Sequence, residues 1–346
     1  MKRKRSILFL PLLGAAIACG SGGESAGIPE EPVKIIFETD LGNDIDDALA
    51  LDMLYKYMDA GKAELLAICL NKEGRAPAEY ADIMNTWYGY PDVPIGIIHD
   101  GIDCENDAVN YAKAVAEMKD ESGNPKYARS LEDHDALPES HLLAREILSK
   151  QKDGSVTMVS VGFSTNLIRL LDTQPDEYSE LDGEDLVARK VNLLVIMAGC
   201  FNDPGIHEYN VVKDIPAAKR IMRSWPTEVV VTPFELGVRV CYPASSIEND
   251  FDMEQDHPMV DAYEAYMPMP YDRPMWDPSA VLYAVERDKW FNVSPAGTIY
   301  VSDDGSTTFA EASAGNRRYL YVDDIQADAM KNHFVELVST KPLNKK

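Results

Sequence analysis

The chain has 346 residues, 45 % of them hydrophobic, and carries 58 Asp and Glu against 33 Lys and Arg, a net charge of −25. That is enough apolar material for one large core. A body this acidic repels nucleic-acid polymers and anionic membrane surfaces, so both are excluded as partners of the folded part, and a neutral or cation-assisted small substrate is favoured.

Residues 1–18 read as an export signal rather than as fold. Lys2, Arg3, Lys4 and Arg5 form its positive start, and residues 7–17 form an apolar stretch too short to span a membrane. The ending Ala16-Ile17-Ala18-Cys19 resembles a bacterial lipobox, which implies cleavage before Cys19 and lipidation of that residue. Residues 19–32 follow as a tether, Gly- and Ser-rich over 20–27. Loss of four basic residues and no acid takes the net charge to −29. The expected product is exported and held to a bacterial membrane only by its lipid, at the periplasmic face or the cell surface.

The rest, 33–340, is expected to be one α/β domain organised around residues 33–54. Residues 33–37 (V-K-I-I-F) form a short apolar, β-branched run that reads as a buried parallel strand. Ala48, Leu51 and Leu54 recur at helical spacing, so a helix begins near Asp46. Between strand and helix stand Asp40, Asp44, Asp46 and Asp47, with Gly42 for a tight turn. Acidic capping of the helix explains one or two of these carboxylates. Four within eight residues repel one another unless a cation holds them, and hard oxygen ligands suit Ca²⁺ or Mg²⁺.

Farther on, strands are predicted at 63–70, 94–98, 156–161, 191–198 and 228–231. Helices are predicted at 75–88, 142–149, from after Asn166 through 171, 215–224, 253–266 and 279–285. The alternation implies a mostly parallel sheet with helices on both faces. The most apolar strand, 191–198, belongs at its centre. Residues 103–138 are polar and turn-rich and read as an insertion over the site. Residues 291–321 alternate around Asp304-Gly305, which predicts a C-terminal β-hairpin extension. Cys69, Cys200 and Cys241 lie in or beside apolar runs and read as packed thiols; with Cys104 they make no disulfide framework. Asn71, Val161, residues 202–210 and Asp277 all fall at or beyond strand ends, the edge where parallel α/β sheets bind ligands.

The run E-T-D-L-G-N-D-I-D-D-A-L-A-L (38–51) resembles the aspartate-rich signature of the inosine-uridine preferring nucleoside hydrolases, D-x-D-P-G-x-D-D-A-x-A-L. Glu38 stands for the first Asp, Leu41 for Pro, and two extra residues precede Asp46-Asp47. V-T-M-V-S-V-G-F-S-T-N-L (156–167) resembles the family's V-T-L-V-x-T-G-x-L-T-N. N-D-P-G-I-H-E-Y-N (202–210) resembles its N-x5-E-F-N, and Trp276-Asp277-Pro278 its H-D-P/A. The resemblance implies a Ca²⁺ held by Asp40, Asp47, Asp277 and the carbonyl of Val161. It implies Asp40 as general base, and Asp46, Asn71, Asn202, Glu208 and Asn210 on the ribose hydroxyls. The implied reaction is hydrolysis of a nucleoside's N-glycosidic bond to base and ribose.

Such cleavage passes through an oxocarbenium-like ribose and needs an activated water, negative surroundings and help for the departing base. That last need is where the chain departs most, because Trp276 replaces the family's histidine. Trp276 would stack on the base and favour purines, or Tyr271 or Arg273 nearby would supply a proton. Asp44 is open between metal ligand, substitute for Asp46 and helix cap. Asn166 reads as a helix cap, and His99 and His207 as structural or solvated. A D-x-D phosphatase fails for want of its later motifs, and an EF-hand for want of the closing Glu. The other reading is a surface nucleoside-binding protein on the same fold with little or no turnover; homo-oligomerisation is left open.

Overall fold

Three consecutive side chains of the first strand show how the chain is layered. Ile35 and Phe37 face one buried cluster of apolar side chains, and Ile36 faces another on the opposite side of the sheet. A strand covered on both faces needs an unbroken apolar run rather than an alternating one. In the computed structural model, which describes residues 31–42, 44–103, 109–251 and 256–343, this pattern recurs along Val191–Met197, where Leu193 and Val195 face one cluster and Leu194 and Ile196 the other. The export signal, Cys19, the tether to residue 30 and Cys104 lie outside the described residues. The chain divides into Met1–Glu31 and Pro32–Lys346, and the second unit carries everything that follows.

Its sheet has ten strands: β1 Val33–Thr39, β2 Ala63–Leu70, β3 Ile95–Gly96, β4 Val156–Ser160, β5 Val191–Met197, β6 Glu228–Thr232, β7 Asn292–Val293, β8 Gly297–Val301, β9 Thr307–Glu311 and β10 Arg317–Tyr321. The order is β9-β8-β10-β6-β5-β4-β1-β2-β3, with β7 paired to β10. From β3 to β6 every pairing is parallel. β5 is the middle strand, as its composition predicts. The fold is a single α/β domain with a mostly parallel sheet and helices packed on it.

Several boundaries differ from expectation. The third strand keeps only two residues, Ile95–Gly96. Helix Pro258–Tyr266 begins after residues that lie outside the described set. The hairpin β8–β9 forms around Gly305, whose φ of 87° suits glycine. It is joined to the main sheet rather than separate, because β10 lies antiparallel to β8 and parallel to β6. A helix absent from the predicted set, Asp324–Ser339, follows; its capping box of Asp323 and Gln326 defines its start, and Ala327, Met330, Phe334 and Val338 face the core. Cys69 and Cys200 are buried thiols, as expected, while Cys241 is only half-buried.

Candidate active site

The strand ends deliver the site. Asp40 follows β1, Asn71 follows β2, Val161 follows β4, Met197 ends β5, and Phe234 opens a short helix after β6. Two longer helices, Asp46–Asp59 and Trp276–Glu286, point their N-termini at the same place. Asp46 and Asp47 occupy the first turn of one, and Asp277 the first turn of the other. The backbone N–H of Asp277 donates to Asp46 Oδ2 at 3.1 Å, so each helix start helps satisfy the other.

One cavity of about 360 Å³ takes in Asp40, Asp44, Asp46, Asp47, Asp277, Val161, Met197, Glu208 and Asn210, whereas Asn71 is fully buried and outside its lining. Asp40, Asp46, Asp47 and Asp277 are each at most 5 % exposed. Burial pushes the Asp40 carboxyl up to about 7; the Lys72 charge opposes this, and the neighbouring Asp44 and Glu208 add to it. Burial and mutual repulsion raise Asp46, Asp47 and Asp277 well above the usual carboxylate range. Glu208, also raised by burial to about 7, is the cap of helix Tyr209–Lys213 and accepts the backbone N–H groups of Gly199, Asn210 and Val211.

The backbone comes close to the acids at Gly162. A Cβ there would stand 2.6 Å from Asp40 Oδ1 and 2.4 Å from Asn71 Oδ1. Only glycine lets the β4 turn pack against the end of β1. The Asn210 amide donates to the Val161 carbonyl at 2.8 Å, and the Thr39 hydroxyl donates to Asp47. Asn71 Oδ1 accepts the Phe163 N–H at 3.2 Å, while its buried Nδ2 has no partner among the described residues. Glu38, where the resembled signature has Asp, is buried behind the site. Burial raises it to about 8 against its hydrogen bonds with Asn166 and Cys69. Asn166 is not a helix cap: its amide ties Glu38 to the Leu70 carbonyl, both at 2.9 Å.

Asp44, in the two-residue insertion, pairs with Arg273, which is 229 residues away along the chain. The same guanidinium lies 5.1 Å from the Tyr266 ring centroid and 5.0 Å from that of Trp276. Trp276 rests on Gly237, stacks offset against Phe234 at 5.4 Å, and donates its indole N–H to the Phe234 carbonyl at 2.9 Å. Tyr271 turns away from the cavity. Its ring stacks on Tyr263 at 4.4 Å and its hydroxyl donates to the Tyr263 carbonyl. Asn202 is exposed and lies outside the cavity lining. His99 is likewise outside, paired with Glu139.

Other residues of the site stand beyond the predicted set. Lys72 is buried beside the cluster and lowers both Asp40 and Asp47; a lysine directly after Asn71 at a strand end was the available signal. Phe234, Tyr266, Ile206, His207 and Tyr209 complete the cavity, and His207 stands within the N-x5-E-Y-N segment.

A parallel α/β sheet with an acidic cavity at its carboxyl edge defines a small-molecule site of the doubly wound kind. The chain belongs to the family described as inosine-uridine preferring nucleoside hydrolase, whose profile matches residues 35–334. No curated protein matches it in sequence. Among solved structures it is similar to a plant nucleoside hydrolase, with a TM-score of 0.67, 17 % identity, and 89 % of this chain and 98 % of that one covered. It is similar to the purine-preferring ribonucleoside hydrolase from Gardnerella vaginalis, with a TM-score of 0.66, 17 % identity, and coverage of 88 % and 98 %. It is also similar to the inosine-uridine preferring nucleoside hydrolase from Bacillus anthracis, with a TM-score of 0.60, 17 % identity, and coverage of 88 % and 99 %. At this identity the likeness carries the fold.

Proposed function

We propose that the protein hydrolyses the N-glycosidic bond of ribonucleosides to free base and ribose, with Ca²⁺ as its cofactor and purine nucleosides slightly favoured. The observation that carries this reading is the convergence of four buried carboxylates, the Val161 turn, Glu208 and Asn210 on one cavity at the strand ends. Family membership supports it.

The donors fit a hard divalent cation in kind. Asp40, Asp47 and Asp277 offer carboxylate oxygens and Val161 a carbonyl; among the described residues the counter-charges are Lys72, acting on Asp40 and Asp47, and Arg273, acting on Asp46. Among the described residues, no three such side chains are yet gathered as a coordination shell. Thr39 and Asn210 now hold Asp47 and the Val161 carbonyl. Bound there, Ca²⁺ would supply a Lewis-acidic anchor for water and the ribose diol.

The remaining work falls to the chain. Asp40 takes the proton of the attacking water as general base. The surrounding carboxylates stabilise the positive ribose ring. Asp46, Glu208, Asn210 and the Asn71 amide, whose Nδ2 has no partner among the described residues, grip hydroxyls and hold the sugar in a near-attack geometry. Asn202 would reach the ribose only by an inward movement of its loop. The Phe234, Tyr266 and Trp276 rings around the outer cavity suit a bicyclic base. The test is a panel of purine and pyrimidine nucleosides assayed for free base and reducing sugar, with added Ca²⁺ and with chelator. Base release that stops with chelator and returns with Ca²⁺ is expected. Tight binding of inosine without turnover would instead make this a surface nucleoside-binding protein.

For location we propose export and lipid anchoring through Cys19, supported by the basic start, apolar stretch and Ala16-Ile17-Ala18-Cys19 ending. Cys19→Ala should move the protein out of the membrane fraction; retention there would sink the lipobox reading.

A further inference from the structure

The departing base lacks a proton donor among the three residues that the sequence offers for it. Trp276 gives its N–H to the Phe234 carbonyl, Tyr271 its hydroxyl to the Tyr263 carbonyl, and Arg273 is paired with Asp44. Tyr266 does line the cavity, but burial, with Asp44 adding to it, pushes its hydroxyl up to about 12, which makes it a poor acid. Among the described residues, His207 is the one histidine in the cavity lining. It stands on the loop between β5 and helix Tyr209–Lys213, its side chain 43 % exposed, with Nε2 3.9 Å from Asp304 Oδ2 in the β8–β9 turn. The adjacent Glu208 is turned onto backbone N–H groups, so Asp304 is the carboxylate that faces the ring.

We propose that His207 is the general acid for the departing base, oriented by Asp304. This rests on the nucleoside-hydrolysis reading and adds the half of the reaction that Trp276 leaves open. As the C1′–N bond breaks, its electron pair stays with the base, which takes a proton from the His207 imidazolium. The water oxygen bonds to C1′ and its proton passes to Asp40. Asp40 then releases that proton to solvent and His207 takes one up, so the sum is nucleoside plus water giving base plus ribose. An acid on this loop lets position 276 hold a packing residue. It also selects nucleosides whose base has a basic ring nitrogen clear of the breaking bond, as N7 is in purines.

The experiment compares His207→Ala and His207→Gln with the wild type on inosine and on p-nitrophenyl riboside, whose leaving group needs no proton. All proteins are loaded with Ca²⁺. General acid assistance is worth roughly 10²–10⁴-fold, so kcat on inosine should fall by about 10²-fold or more, while p-nitrophenyl riboside turnover stays within about threefold. Asp304→Asn should show a smaller loss confined to inosine. Circular dichroism and Ca²⁺ binding should match the wild type, as expected for a half-exposed loop residue. Equal losses on both substrates, or none on either, would overturn the assignment. A wild-type protein that releases base from no nucleoside would instead bring down the underlying reading, and this assignment with it, before any variant is compared.

Discussion

The cavity has two ends built on different principles. At the inner end Asp40, Asp46, Asp47 and Asp277 stand at strand and helix termini, so the backbone itself aims them. At the outer end Tyr266, Arg273, Trp276 and His207 come from loops or helix ends and meet through side-chain contacts with one another, with Asp44 and with the β8–β9 turn. The inner end keeps the residue types of the family signature nearly throughout. At the outer end Trp276 stands where the resembled motif has histidine, and its N–H and ring are committed to Phe234, Gly237 and Arg273. In the proposed reaction, chemistry on the ribose is thus tied to the fold, whereas recognition and protonation of the base fall to the loops.

The contrast predicts unequal damage. Asp40→Asn strikes the inner end at its base and should lower kcat by roughly 10²–10⁴-fold with little change in KM, read by steady-state kinetics on inosine. A loss under about tenfold would move the base elsewhere. Gly162→Ala attacks the same end through the backbone. Its Cβ would press on Asp40 and Asn71, so overpacking of about 1–3 kcal/mol should lower Tm, and Ca²⁺ affinity should fall with it. Unchanged Tm and affinity would show that the close approach is not needed. Trp276→Ala tests the outer end: kcat/KM for purine nucleosides should drop by about tenfold while Ca²⁺ binding persists. Loss of Ca²⁺ binding would mean that the indole chiefly supports Asp277.

The smallest effect separates burial from company. Glu286, at the far end of the Asp277 helix, is another tucked-in carboxylate. Burial would raise it, but the Trp290 N–H, His333, Lys289 and Lys62 outweigh burial and hold it down at about 2, from an ordinary value of 4.5. A folded value below the unfolded one stabilises the fold fully above about pH 4.5, and that stabilisation is lost as pH falls toward 2. Glu286→Gln should therefore lower Tm by a few degrees at pH 7, with the gap narrowing below about pH 4.5. A gap independent of pH would remove the charge explanation. The acids of the cavity are raised first by burial and further by neighbours that are mostly other acids, where Glu286 has cations and donors to oppose its burial.

Much of the inner end was legible in the sequence, for a physical reason. Residues just past a strand stay at the sheet edge whatever the loops do, so Asp40 and Val161 could be placed from apolar runs alone. The bounds of Ala63–Leu70 and Arg75–Tyr88 were readable because Gly61, Gly74 and Gly89 punctuate them. The start of Trp276–Glu286 lies before the predicted 279, with Pro278 in its first turn, where a helix accepts proline. Asp323-x-x-Gln326 did announce the last helix as a capping box, and that signal was missed. The outer end was illegible because it depends on pairings across long stretches of chain, Asp44 with Arg273 and His207 with Asp304. Motif spacing put Asn202 with Glu208 and Asn210, but the path of a polar loop leaves it in solvent.

The central claim is that the inner carboxylates form one calcium site on which riboside hydrolysis depends. Calcium content and inosine turnover measured on the same purified samples, as metal is removed and restored, test it most directly. The account predicts one Ca²⁺ per chain at full activity, turnover that follows occupancy, and loss of both in Asp277→Ala. Undiminished turnover by metal-free protein would contradict it.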